Sequence, residues 1–111
     1  MTNSISALDK LYRTVVARRD DNAENSYTKY LFEQGLDKIL KKLGEECAET
    51  IIASKNADNG ALTGEICDLL YHLAVLMAER GISVADVYEE LDNRAAKEGN
   101  LKNFTVTDKN T

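Results

Sequence analysis

The sequence predicts an all-α fold, an antiparallel bundle of four to five helices. With no proline and 6 glycines among 111 residues, little interrupts the chain, which favours long helices over short strands and tight turns. Apolar residues recur at three- and four-residue spacings along stretches joined by short polar segments, which is typical of helices packed side by side. We assign residues 1–97 to one all-α domain and the polar, aperiodic residues 98–111 to a loose C-terminal tail.

The first two predicted helices cover the N-terminal third of the chain. One runs from about residue 5 to 19, with Ser4 as its candidate N-cap, and the polar linker DDNAEN follows it. The second is short, from about residue 27 to 33, with Ser26 as candidate cap and Gly35 as the residue that stops it.

The remaining three helices are predicted at about 36–55, 61–80 and 83–97. The turn-rich segment NADNG joins the third helix to the fourth, so that the two would form a hairpin. The fifth helix begins with S-V-A-D, which resembles a capping box in which Ser83 and Asp86 bond to one another's backbone.

Charge and cysteine content limit the classes of function. A net charge of −5 argues against a nucleic-acid binder, which needs a basic face. Cys47 and Cys67 lie in apolar helical surroundings, and we expect both to be buried structural thiols in a reducing compartment. The opening MTNSISALDK lacks a secretory pattern, and no uninterrupted apolar run reaches the ~18 residues of a membrane span. We therefore expect a cytoplasmic protein without a membrane or nucleic-acid partner.

Acidic residues form the most informative pattern. Glu45, Glu46 and Glu49 lie within one turn of the third helix, and Glu65 and Asp68 interrupt the mostly apolar fourth. Counted from the turn of the hairpin, the two groups lie at matching levels, so they would face one another across a cleft. Taken alone, the acidic residues of the third helix would favour a solvated surface.

The fourth helix requires a compensating positive charge. Glu65, Asp68 and His72 fall within a strip of about 60°, and no Lys or Arg occurs between Lys55 and Arg80. Burying unpaired carboxylates costs about as much free energy as a small domain has in total stability. All the candidate ligands are hard oxygens, which favours Mg²⁺, Mn²⁺ or Ca²⁺ over Zn²⁺. No Ca²⁺-loop spacing is present, and Mg²⁺ suits a few carboxylates on facing helices together with substrate phosphates.

Several polar side chains near the acidic pattern have two interpretations. Lys38, Lys41 and Lys42 would reach the phosphates of a substrate or would only keep the surface soluble. His72 would be a base or a partner of the site, although a packed structural histidine is the commoner case. Tyr71 points to another side and is expected in the core or in a subunit interface.

The motifs resemble those of a known family. E-E-x-x-E followed after fifteen intervening residues by E-x-x-D is similar to the signature of the all-α nucleotide pyrophosphohydrolases. The segments S-Y-T-K-Y-L-F, G-L-D-K-I-L-K-K-L-G-E-E-C-A-E-T and E-I-C-D-L-L-Y-H-L-A-V-L-M, between about residues 26 and 94, resemble the phosphoribosyl-ATP pyrophosphatase family of histidine biosynthesis.

The resemblance implies hydrolysis of phosphoribosyl-ATP between its α and β phosphates, Mg²⁺ dependence, and an obligate homodimer in the cytoplasm whose helices build the active site. It also implies a substrate-binding role for Arg94, within the motif E-L-x-x-R. A carboxylate that is not fully used as a ligand would orient or deprotonate the attacking water, and we name Glu46 or Glu49 for that role. The metal-binding positions that the resemblance implies are Glu45, Glu46, Glu49, Glu65 and Asp68.

Two other functions fit the same residues. One is a house-cleaning pyrophosphohydrolase of the same fold that acts on dNTPs or dUTP. The carboxylates do not distinguish between these substrates, because they recognise only phosphate and metal. The other is a non-enzymatic helical dimer whose acidic face binds a basic partner.

Overall fold

The computed structural model describes residues 5–21 and 24–97, and these residues form five helices and no strand. The predicted all-α class is therefore confirmed. The predicted tail 98–111 and the candidate cap Ser4 lie outside the described residues. The helices are α1 (Ala7–Asp20), α2 (Tyr27–Gln34), α3 (Leu36–Ser54), α4 (Asn59–Arg80) and α5 (Val84–Ala95).

Three predicted helix boundaries are confirmed by hydrogen bonds or backbone conformation. The side chain of Ser26 accepts a bond from the backbone N–H of Lys29 at the start of α2. Gly35 ends α2 and begins α3 with φ of 93°, a left-handed conformation that favours glycine. At α5, Ser83 and Asp86 form the predicted capping box, with both bonds at 3.0 Å.

Other boundaries differ from the prediction because a nearby side chain caps better. The N-cap of α1 is Ser6, whose hydroxyl accepts from the N–H of Asp9 at 3.1 Å. Helix α4 begins at Asn59, two residues before the predicted start, because Asp58 within the turn segment accepts a bond from the N–H of Ala61. The C-terminal ends of α3 and α5 come one and two residues earlier than predicted.

The core forms where α4 meets α1, α2 and α3. Helices α3 and α4 share the most extensive interface, α1 lies against α4, and α2 contacts α1, α3 and α4. Among the described residues α5 contacts α1 alone, partly through a hydrogen bond of 2.9 Å between Ser6 Oγ and the Tyr88 hydroxyl. The core is small for four helices. Its buried members are Val15, Leu31, Ile39, Ala74, Val75 and Ala78.

The predicted burial of both cysteines is wrong for the single chain. Cys47 and Cys67 are exposed free thiols. Leu40 and Ile51 fall on the same side of α3 as Cys47 at about 100° per residue, and both are also exposed. Periodicity identifies the apolar side of a helix, but no other described helix covers this part of it.

Helix α4 reaches the length and composition of a membrane span, with 22 residues and a mean hydropathy of 1.4 over its best 18-residue window. This differs from the expectation that no segment would do so. That expectation counted uninterrupted apolar runs, whereas this window tolerates the charged side chains Glu65 and Asp68. Since α4 packs on three other helices and carries half of the buried core residues, its apolar character fits a central helix of the bundle.

Candidate active site

Three of the predicted carboxylates meet where α3 packs on α4. Glu46, Glu49 and Glu65 each offer an oxygen that lies within 4.8 Å of those of the other two. Glu46 and Glu49 come from consecutive turns of α3, so their side chains share one side of the helix. We call these three residues the carboxylate cluster.

The carboxylate cluster contains buried oxygens without a donor. Glu46 is only 8% exposed, and its Oε2 atom and the Oε1 atom of Glu65 are both buried without a hydrogen-bond partner among the described residues. Buried acceptors are nearly always satisfied in native proteins, and a buried unpaired charge is costly. The cluster therefore fits a cation, which the three side chains would hold through hard oxygen ligands.

The titration of Glu46 reflects the same crowding. Its pKa is raised to about 7, first by a hydrogen bond with Glu65, then by burial and by the negative charges of Glu49, Glu65 and Asp68. Two ionised carboxylates cannot bond to each other, because both only accept. The bond between Glu46 and Glu65 exists only while one of them keeps a proton, and ionisation of both leaves the buried oxygens unpaired.

A threonine links the two helices at the level of the carboxylate cluster. The hydroxyl of Thr50 donates to the carbonyl oxygen of Glu46 at 2.9 Å and lies 3.4 Å from that of Glu65. A single hydroxyl hydrogen directed between these carbonyls ties α3 to α4 beside the cluster. No local pattern indicated this contact, because it joins positions that are 15 residues apart.

The other two predicted metal ligands lie outside the carboxylate cluster. Glu45 is exposed, and its Oε1 atom pairs with Nζ of Lys42 at 3.0 Å. The hydrogen bond to Lys42 and its positive charge lower the pKa of Glu45, to which Lys41 and Lys38 contribute less. Asp68 is exposed as well, close enough to Glu46 that its charge helps to raise the pKa of that carboxyl.

The predicted substrate-binding cations divide into two groups. Lys41 and Lys42 lie beside Glu45, and Lys38 also has its Nζ atom 5.9 Å from the ring centroid of Tyr30. All three lysines lie on α3, on the side of the carboxylate cluster where Glu45 lies. Arg94, in contrast, lies on α5 and pairs with Glu90 at 3.0 Å. Because α5 contacts neither α3 nor α4 among the described residues, a single chain does not bring Arg94 to the cluster.

His72 is buried and makes hydrogen bonds with both ring nitrogens. Its Nδ1 atom lies 2.9 Å from the carbonyl oxygen of Asp68, which only accepts, so Nδ1 carries a hydrogen. In the neutral ring Nε2 is then an acceptor, and the Tyr27 hydroxyl donates to it at 3.3 Å. These contacts agree with the structural interpretation of His72.

Tyr71 packs against the hydrophobic core. This agrees with the first of the two predicted locations, the core or a subunit interface. Its hydroxyl makes a short hydrogen bond with Thr28, and burial raises its pKa, an effect that the bond to Thr28 partly opposes. Sequence reasoning identified Tyr27 only as the start of α2, since its partner His72 is 45 positions away.

The fold and the site together define a class of protein. All the described elements are helices, and the functional groups are a cluster of acidic oxygens between two of them with lysines at one side. This is a helical scaffold suited to a divalent cation and a phosphate-bearing ligand.

The comparison with known proteins narrows this class to one family. Residues 8–95 match the family model described as phosphoribosyl-ATP pyrophosphohydrolase. The chain belongs to this family, in agreement with the resemblance found in its motifs.

Relatives support the assignment over nearly the whole chain. A protein of Clostridium novyi (strain NT) named phosphoribosyl-ATP pyrophosphatase is 46% identical over 90% of this chain and 91% of its own length. One of the same name from Clostridium botulinum (strain Hall) is 50% identical over 95% of this chain and 96% of its own length. The histidine biosynthesis bifunctional protein HisIE of Thermoanaerobacter pseudethanolicus is 59% identical over 75% of this chain, but this region is only 38% of that protein.

Proposed function

We propose that the chain hydrolyses phosphoribosyl-ATP to phosphoribosyl-AMP and pyrophosphate as a cytoplasmic step of histidine biosynthesis. Family membership and the names of the relatives support this substrate. The observation that carries the proposal is the pair of buried, unpartnered oxygens on Glu46 and Glu65 beside Glu49, because buried acceptors are nearly always satisfied in native proteins and a bound cation would satisfy these.

Mg²⁺ is the proposed cofactor. Glu46, Glu49 and Glu65 would hold it. Asp68, whose charge acts on Glu46, and Glu45, which pairs with Lys42 in the single chain, are the further ligands predicted from the sequence. A bound Mg²⁺ neutralises phosphate oxygens and the charge that develops on the leaving pyrophosphate.

Side chains of the protein would activate the attacking water and attract the substrate. Water reaches the cluster from the side of Glu49, which is exposed, while Glu46 is buried behind it. This access favours Glu49 as the group that orients the attacking water and accepts its proton, with Glu46 as the alternative. Lys38, Lys41 and Lys42 would attract the polyphosphate to the side of the cluster that they occupy.

A homodimer would complete the bundle, which we propose to be antiparallel. Ile66, Leu70 and Leu73 follow one another at four- and three-residue spacing on α4, and all are 37–42% exposed. On α3, Ile51 and Ile52 are each 65% exposed. Contiguous apolar surface on a small protein is typical of an interface, and a second copy offers the matching surface. Arg94, which a single chain does not bring to the cluster, would have to reach it from the second copy.

Leu70→Lys is expected to convert the dimer to monomers. A lysine at this position places an unpaired charge in the proposed interface, which costs several kcal/mol when buried. Sedimentation velocity measures the change, and Glu79→Lys is the matched control, because it puts the same residue on a different side of α4. A wild-type protein that sediments as a monomer at all concentrations would show that the dimer proposal is wrong.

Substrate preference separates the proposed reaction from the house-cleaning alternative. We expect kcat/KM for phosphoribosyl-ATP to exceed that for each dNTP and for dUTP by at least about 10²-fold, because only the former offers the second ribose phosphate as an additional binding group. The measurement is pyrophosphate release from each substrate at equal enzyme and Mg²⁺ concentrations. A preference for a plain dNTP would support the house-cleaning function, and release from none would support the acidic binding module.

A further inference from the structure

Tyrosine rings line up where α2 begins. The ring of Tyr27 stacks on that of Tyr30, with centroids 6.2 Å apart and an angle of 25° between the planes, and on that of Tyr71 at 6.2 Å and 28°. Tyr71 is partly buried, whereas Tyr27 and Tyr30 are 44% and 42% exposed. We call the two exposed rings, Tyr27 and Tyr30, the tyrosine platform.

The platform is fixed in place by the buried His72. The hydroxyl of Tyr27 donates to Nε2 of His72, and the bond from Nδ1 to the carbonyl of Asp68 fixes the tautomer that can accept it. The edge of His72 also meets the rings of Tyr27 and Tyr71, with centroid distances of 6.0 and 4.9 Å. Rings held in this way lose little conformational freedom when a ligand binds.

The platform lies beside the cationic edge of the carboxylate cluster. Lys42 follows Lys38 by one turn on the same side of α3, and its Nζ atom pairs with Oε1 of Glu45 at 3.0 Å, next to Glu46 of the cluster. Lys38 lies over the ring of Tyr30 at 5.9 Å. A flat aromatic surface and positive charges are therefore adjacent, in the order in which a nucleotide presents its base and its phosphates.

We propose that the tyrosine platform stacks against the purine base of the nucleotide substrate while its polyphosphate extends past Lys42 to the carboxylate cluster. This inference rests on the proposed function, since it assigns the base-binding part of the same site. A base presents a flat π-surface to an aromatic ring whatever its edge groups are, and the His72 bond ties Tyr27 to α4, the helix that also carries Glu65 of the cluster.

Two measurements on the wild-type protein and one variant test the proposal. The chain has 5 tyrosines and no tryptophan, so its intrinsic fluorescence comes from tyrosine alone. We expect AMP to quench this fluorescence and ribose 5-phosphate, which lacks the base, to leave it unchanged. In Tyr30→Leu we expect weaker AMP binding and a KM for phosphoribosyl-ATP that rises roughly tenfold with kcat nearly unchanged, as follows from the loss of one base–aromatic stack.

Tyr88→Leu is the matched control, because it removes a ring of the same kind from α5, where the Tyr88 hydroxyl bonds to Ser6. It should keep the wild-type KM. Equal responses to AMP and ribose 5-phosphate, or an unchanged KM in Tyr30→Leu, would overturn the proposal. So would a Tyr30→Leu protein that loses its self-association with no change in AMP binding, since the rings would then contact a second copy. If phosphoribosyl-ATP is not hydrolysed at all while AMP still quenches the tyrosine fluorescence, the proposed function is wrong but base binding by the tyrosine platform is supported.

Discussion

Glu46→Gln is expected to reduce hydrolysis of phosphoribosyl-ATP by roughly 10²- to 10⁴-fold, because it removes a proposed ligand of a metal ion that supplies several kcal/mol of charge stabilisation, and to raise the melting temperature of the metal-free protein at pH 8. The opposite signs follow from one cause. Above about pH 7 Glu46 has lost the proton that bonds to Glu65, and the two buried carboxylates then face each other without a donor between them, which is unfavourable until a cation binds. An amide at this position keeps the shape, removes one charge and donates a hydrogen bond to Glu65.

Glu49→Gln provides the comparison that separates the two effects. Glu49 belongs to the same cluster and lies one turn further along α3, but its side chain is exposed. We expect it to lose activity to a similar extent and to melt within a few degrees of wild type, because an exposed charge is already solvated. Glu79→Gln, an exposed glutamate on α4 outside the cluster, controls for the substitution itself.

The measurements are initial rates of pyrophosphate release and thermal unfolding followed by the helical circular dichroism signal. Substantial activity in both Glu46→Gln and Glu49→Gln would show that the site has been misassigned. A lower melting temperature for metal-free Glu46→Gln would show that Glu46 is satisfied by a donor, which would remove the reason for a cation at this place.

The fold followed from the sequence wherever the cause was local. The capping box of Ser83 and Asp86 and the glycine between α2 and α3 were predicted correctly, because each depends on residues within one turn of chain. The difference at the start of α4 also has a local cause. The side chain of Asp58 accepts a hydrogen bond from the N–H of Ala61 and caps the helix, so α4 begins earlier than the turn residues around Asp58 predicted.

Long-range arrangement was predictable only in part. Counting residues from the turn of the hairpin correctly placed Glu65 opposite Glu46 and Glu49. The count works because a short loop determines which levels of the two helices meet. Which of the five carboxylates would turn inward was not predictable. That depends on helix rotation, which leaves Glu45 facing Lys42 and Asp68 facing solvent in the single chain. The predicted burial of Cys47 and Cys67 was wrong for a related reason. Periodicity identifies the apolar side of a helix but does not show whether another helix covers it.

The metal-free protein is expected to lose stability as the pH rises from about 5 to about 8, and saturating Mg²⁺ is expected to abolish most of this dependence. The pKa of Glu46 is about 7 in the fold, raised from 4.5. Below about pH 4.5 both the folded and the unfolded chain hold this proton. Between these two values only the folded chain does, so unfolding releases a proton, and stability falls with rising pH until the folded carboxyl has ionised too.

Mg²⁺ removes the cause of that fall. A bound cation favours the ionised form of Glu46 and lets its unpartnered oxygen, and that of Glu65, act as ligands. At a concentration of 100 times its Kd, a ligand that binds only the folded state stabilises it by about 2.7 kcal/mol. For a domain of this size that corresponds to a rise in melting temperature of roughly 10 °C or more, and the rise should be larger at pH 8 than at pH 5.

Thermal melts at both pH values, with MgCl₂ or with NaCl of equal ionic strength, measure this linkage. The NaCl series is needed because general screening also acts on a chain with a net charge of −5. Glu79→Gln should respond to Mg²⁺ as wild type does, whereas Glu46→Gln should have lost both the pH dependence and most of the Mg²⁺ response. Equal melting temperatures with the two salts at pH 8 would contradict a cation site in the carboxylate cluster and would favour the acidic binding module, because an acidic surface that docks a basic partner gains only screening from either salt.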